Sequence, residues 1–110
     1  MVKRGDIVYL KNSAYLQATG HIQGGFRPML VVSNDIGNKY SKIFICVPLT
    51  TNKARVDFPT HVLINENSVA LCEQLFTINQ NAIDRIVGHV SGKEMRKLNN
   101  CLMVSLGVTV

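Results

Sequence analysis

Residues 28–49, PMLVVSNDIGNKYSKIFICVPL, decide how the chain folds. Two short runs rich in Val, Ile, Leu and Phe, PMLVVS (28–33) and IFICVPL (43–49), lie on either side of a polar stretch of Ser, Asn, Asp, Gly and Lys. Such runs are too short for helices and their branched side chains suit a pleated surface, so each is predicted to be a buried strand.

The same pattern repeats outward in both directions. DIVYL (6–10), HVLI (61–64), VALCEQLF (69–76) and IVGHV (86–90) add four strand candidates, separated by polar or Gly- and Asn-bearing clusters. Near-sequential spacing without long intervening helices predicts a mostly antiparallel sheet curled into a small barrel, not a series of βαβ units. The period changes only at the end. In SGKEMRKLNNCLMVSLG, residues 91–107, Met95, Leu98, Leu102 and Leu106 recur at helical spacing. Ser91 and Glu94 stand in the S-x-x-E relation in which each side chain satisfies the other's backbone N–H, and Gly107 can take the left-handed closing position. The fold class is therefore mainly β (α+β), with a C-terminal α-helix and room for one or two short helical turns, one of them weakly signalled around Gln80–Ile83. Lys11–Phe26 contains no convincing element; loops of more than about 12–15 residues are mostly functional or disordered. A second loop, Thr51–Thr60, carries two cations and a proline.

At 110 residues, the chain is one domain spanning 1–110, large enough for a core of its own. With 46% hydrophobic and 17% charged residues it reads as globular. No apolar run approaches the roughly 20 residues of a transmembrane helix, and MVKRGDIVYL is too polar and brief for a signal peptide, so the cytoplasm is the expected location, with no membrane partner. Cys46, Cys72 and Cys101 are odd in number and lack paired spacing, which argues against a disulfide framework or a zinc site and for buried thiols. A net charge of +5 leans toward a polyanionic partner.

The residues with chemical promise flank the two opening strands. In GGFRP, Gly24 and Gly25 allow a ligand close to the backbone, and Pro28 forces Arg27 into an extended conformation. A guanidinium held in this way suits bidentate contact with phosphate oxygens. The structural alternative is an ion pair between Arg27 and Asp35 or Glu73. Thr50 and Thr51 follow the second strand with hydroxyls on opposite faces, although ordinary β-branched strand filling is the favoured reading until something pairs with them. His21, His61 and His89 have no metal spacing; His21 stands out because it lies beside the glycine pair. No P-loop, metalloprotease, hydrolase-elbow or dinucleotide fingerprint is present.

Taken together in order, VKRGDIVY, QGGFRPMLVVSNDIGNKYS, VPLTTN, PTHV, NSVALCEQLFTI and the closing helix ending in SLG resemble the MazF/PemK family of toxins, nearly end to end. The resemblance implies an SH3-like antiparallel barrel with appended helices, a homodimer, and the toxin of a type II toxin–antitoxin pair. It implies a ribosome-independent endoribonuclease that cuts single-stranded mRNA at a short preferred sequence, and a small acidic antitoxin whose flexible tail fills the RNA groove. Carried over by position, Arg27 and Thr50 are the expected catalytic residues. His21, Gln23, Gly24, Gly25, Thr51, Lys53, Glu73, Gln74 and Phe76 are the expected RNA-contacting set. No cofactor and no metal are expected, because RNA supplies its own 2′-hydroxyl nucleophile; the products would carry 2′,3′-cyclic phosphate and 5′-hydroxyl ends. The chain departs from many relatives in two places: Ile22 precedes Gln23 where an acidic residue is usual, and Phe76 stands where arginine is frequent. The self-association surface is expected to include Leu98 and Leu102. Two other functions remain open at this stage, a gyrase-binding toxin of the same superfamily and a degenerate relative that only binds nucleic acid.

Overall fold

A computed structural model describes residues 1–19, 27–52 and 56–108. Its elements are β1 (Asp6–Leu10), α1 (Asn12–Thr19), β2 (Met29–Val31), α2 (Asp35–Tyr40), β3 (Ile43–Thr50), β4 (His61–Ile64), β5 (Ser68–Leu71), β6 (Phe76–Asn79), a 3₁₀ turn (Gln80–Ala82), β7 (Ile83–His89) and α3 (Gly92–Leu106). All seven strands pair antiparallel, in the order β4-β5-β3-β2-β1-β7, and β6 also pairs with β3.

β3 organises this sheet. One of its edges pairs with β2, while β6 and β5 share the other in succession, β6 along Ile43–Cys46 and β5 along Leu49–Thr50. Pro48 falls at the changeover, where the missing N–H costs no rung. The two faces of β3 serve different cores. Val47 and Leu49 join Leu30, Ile64, Ala70, Cys72, Leu98 and Leu102 in one; Phe44 and Cys46 join Val8, Leu10, Met29, Val31, Tyr15 and Ile78 in the other. α3 covers the first core and α1 the second.

Several sequence expectations need correction. Residues 69–76 form two strands, not one: the chain turns after Leu71, closed by Gln74 N–H on the Leu71 carbonyl (3.0 Å), and re-enters the sheet as β6. The curled sheet is not closed into a barrel, since among the described residues β4 and β7 remain its outer edges; after β7 the chain leaves as α3 instead of pairing back. α1 and α2 were both expected to be loop. α2 forms despite Gly37 because Asn34 caps it, accepting from Gly37 N–H (2.7 Å), and because buried Asn38 donates to the Ser33 carbonyl (3.0 Å). The 3₁₀ turn lies where a helical turn was expected.

α3 begins and ends as its sequence predicts, with Ser91 accepting from Glu94 N–H (3.2 Å) and Gly107 left-handed at φ 71°. Only half of the reciprocal cap forms, because the Glu94 carboxylate turns to Asn65 N–H (3.3 Å). Leu98 is 0% exposed and Leu102 is buried, so both are committed to the core and Leu98 cannot line a surface between subunits; Leu106, expected on the buried face, is exposed. The N-terminal VKRGD motif is structural: Gly5 has φ 96°, Asp6 accepts from Lys3 N–H (2.9 Å) and meets His89 Nδ1 (2.8 Å), and Arg4 Nε donates to the Val32 carbonyl (2.9 Å).

Candidate nucleic-acid site

The β2–β3 ladder runs on toward Arg27 and Thr50. The register Met29↔Pro48, Leu30↔Val47, Val31↔Cys46, carried two residues further, sets Arg27 opposite Thr50. A hydrogen bond from Leu49 N–H to the Pro28 carbonyl (2.9 Å) extends the ladder that far. Pro28 and Leu49 thus form a bonded rung, so Arg27 and Thr50 form the next, non-bonded one. Opposed Cα atoms there stand about 4.5 Å apart, with both side chains on the same face. That face is the one carrying Met29, Val31 and Cys46, and the pair sits at its open end.

Local hydrogen bonds hold the Thr50 hydroxyl and the Arg27 backbone. The Thr50 hydroxyl oxygen accepts from Asn52 N–H (3.2 Å), which leaves its hydrogen available for donation. Arg27 is half-buried, and among the described residues it takes part in no ion pair. The carboxylates considered as its partners are occupied elsewhere: Asp35 accepts from Arg4 N–H (2.6 Å), and Glu73 binds His61 and Thr60. The backbone of Arg27 is held on its other side by a residue that sequence reading missed, since the Tyr15 hydroxyl donates to the Arg27 carbonyl (2.6 Å). Nothing in the sequence flagged Tyr15, because α1 lacks a regular apolar stripe.

The remaining expected residues divide. Thr51 is exposed directly beyond Thr50. Phe76 pairs with Cys46 and packs partly against the second core, on the same face as Thr50 but roughly 13 Å away along β3 at strand spacing. Glu73 and Gln74 lie in the turn after β5, at the opposite end of that strand from Val69, the partner of Thr50. Glu73 accepts from Thr60 Oγ1 (3.0 Å) and contacts buried His61 Nε2 (2.6 Å), whose ring lies 5.0 Å from that of Phe58. Burial alone would raise the Glu73 pKa, but hydrogen bonding to His61, to its own backbone N–H and to Thr60 outweighs it and holds the carboxyl below its ordinary value. His21, Gln23, Gly24, Gly25 and Lys53 lie outside the described residues.

Other features fall away from this pair. All three cysteines are buried and free; burial pushes the Cys46 thiol up to about 12 and also raises Cys72 and Cys101. Among the described residues no three His, Cys, Asp or Glu side chains converge as a metal site requires, and no helix is long and apolar enough to cross a membrane. An apolar groove of about 580 Å³ opens between the end of α3 and Val32, Ile45 and Leu75, on the face of β3 opposite Thr50.

The fold is that of the small endoribonuclease toxins. An endoribonuclease from a mycobacterial species, solved in complex with its cognate antitoxin, superposes with a TM-score of 0.81 at 23% identity, covering 100% of this chain and 99% of that one. MazF in a MazE–MazF complex from Deinococcus radiodurans gives 0.75 at 18% identity, covering 98% and 97%. Sequence comparison is more specific: the family model of PemK-like, MazF-like toxins of type II toxin–antitoxin systems matches residues 3–106, and the chain belongs to that family. The endoribonuclease MazF of Staphylococcus saprophyticus is 37% identical over 115 aligned positions, covering 98% of this chain and 93% of the relative.

Proposed function

We propose that this protein is a toxin that acts as a metal-independent, ribosome-independent endoribonuclease on single-stranded mRNA. The observation that carries the reading is the β2–β3 register, which sets Arg27 opposite Thr50 on one face, a cation beside a hydroxyl donor in a chain of net charge +5. Such a pair suits a phosphodiester whose negative charge grows during reaction. The RNA 2′-oxygen attacks phosphorus, the bond to the 5′-oxygen breaks, and a proton moves from the 2′-hydroxyl to a base while another reaches the leaving oxygen. A 2′,3′-cyclic phosphate and a 5′-hydroxyl result.

Arg27 stabilises the phosphorane; a guanidinium does not give up its proton in proteins and is a poor base. Thr50 donates to a phosphoryl oxygen, and His21 is the candidate to take the 2′-proton. Gln23, Gly24, Gly25, Thr51 and Lys53 contact the RNA beside them, and Phe76 offers a ring on which a base stacks. Glu73 and Gln74 border the groove further along. The working form is a cytoplasmic homodimer, neutralised by an acidic antitoxin whose carboxylates lie where phosphates would.

The test is incubation with a long single-stranded RNA in excess EDTA, followed by mapping of the new ends. Cuts at a short common sequence with cyclic-phosphate ends, lost on 2′-deoxy substitution at the cut, support the reading. Intact RNA together with inhibited DNA supercoiling would establish a gyrase poison instead, and binding without cutting a degenerate relative.

A further inference from the structure

The β1–β2 ladder is interrupted where it reaches Arg27. Its register, Ile7↔Leu30 and Val8↔Met29, continues to Leu10↔Arg27. Since Pro28 and Leu30 direct their polar backbone atoms toward β3, those of Arg27 and Met29 face β1, and Leu10 N–H and the Arg27 carbonyl should bond directly. Instead the Tyr15 hydroxyl occupies the rung: it accepts from Leu10 N–H (3.0 Å) and donates to the Arg27 carbonyl (2.6 Å). The phenol is only 6% exposed and enters from α1, with Ala14 buried beside it. One hydroxyl therefore substitutes for a backbone bond, parting β1 from β2 at the residue whose side chain faces Thr50.

We propose that Tyr15 is a positioning residue for Arg27, its hydroxyl setting where the Arg27 backbone, and with it the guanidinium, stands at the site. This rests on the reading of Arg27 as catalytic. On its β3 side, the chain is fixed by Leu49 N–H on the Pro28 carbonyl; on its β1 side, the hydroxyl fixes it. Without the hydroxyl, β1 and β2 either close toward each other or admit water, and both move Arg27 relative to Thr50. Burial raises the phenol pKa, so the hydroxyl keeps the proton it donates.

The experiment compares wild type, Tyr15→Phe, Arg27→Ala and the double variant on an oligonucleotide carrying the site mapped on long RNA. Displacements near 1 Å cost about 100-fold in rate, so Tyr15→Phe should lower kcat by about 10- to 100-fold with KM within about twofold. Acting through Arg27, it should add nothing in the Arg27→Ala background. Equal losses in both backgrounds, or wild-type kcat in folded Tyr15→Phe, would overturn the inference while leaving the Arg27 assignment intact; full activity of Arg27→Ala would instead remove its foundation. Should Tyr15→Phe fail to fold, 3,5-difluorotyrosine at position 15 keeps the shape but brings the phenol closer to neutrality. Its kcat should then fall as pH rises through that ionisation, and a profile identical to wild type would refute the role.

Discussion

Replacing Arg27 with alanine separates catalysis from folding. Its structural ties are main-chain ones, the carbonyl accepting from Tyr15 and the adjacent Pro28 carbonyl accepting from Leu49 N–H, and alanine retains both. Among the described residues the guanidinium has no ion-pair partner, so no buried carboxylate is left unpaired by its removal. Stability should change by no more than about 1 kcal/mol, in the range of substitutions outside the core. The reaction loses its principal charge on the phosphorane, comparable with deleting an oxyanion-hole donor: about 3–4 kcal/mol, or roughly 100- to 1,000-fold in rate. The assay is single-turnover cleavage of a labelled oligonucleotide, beside a urea melt of the same preparation. Arg27→Lys should recover only part of the loss, since a point charge cannot bridge two oxygens. Undiminished cleavage by Arg27→Ala, or a rate loss matched by unfolding, would refute the argument.

Leu98→Ala opens a void beneath α3 at a side chain that is 0% exposed, and should cost about 2–5 kcal/mol in denaturant unfolding; a cost below about 1 kcal/mol would mean that α3 is not clamped there. Glu73 has a folded-state pKa below its ordinary value of 4.5, so its stabilisation is fully present above 4.5 and is lost as pH falls through the folded value. Glu73→Gln should flatten that part of the acid-unfolding curve, and an unchanged curve would count against its bond to His61.

The strands and α3 were legible because their signals are local. Branched apolar runs mark the sheet, and Ser91 and Gly107 mark the ends of one long amphipathic helix. α1 and α2 were not, because part of what holds each comes from elsewhere in the chain: the Tyr15 hydroxyl bonds the Arg27 carbonyl, Asp35 accepts from Arg4 N–H, and the Asn38 carbonyl accepts from the Gln80 amide. The break at residues 72–75 was hidden because Cys72 and Leu75 flank Glu73 and Gln74 with no Gly, Pro or Asn to mark a turn. At the site, Pro28 gave the extended backbone of Arg27, but only the pairing of two strands puts Thr50 beside it. The motifs that carried the family resemblance mostly hold the fold. VKRGD bends and pins the first strand, and NDIGN caps a helix. Glu73 was read as an RNA-groove residue or as a partner of Arg27, whereas its bonds to His61 and Thr60 depend on the pairing of β4 with β5.

β3 is a party wall between two rooms. Phe44 and Cys46 face one core, Val47 and Leu49 the other, and Thr50 stands at the end of the wall. A strand lined on both sides cannot be repositioned from one side alone: a change of volume in either core presses on the same backbone, and with it on Thr50 and the β2 neighbour. Variation that retunes which RNA is cut, without disturbing how it is cut, therefore has little room in the cores. The positions beyond the ends of β2 and β3 are where sequence can change while the wall stays in place.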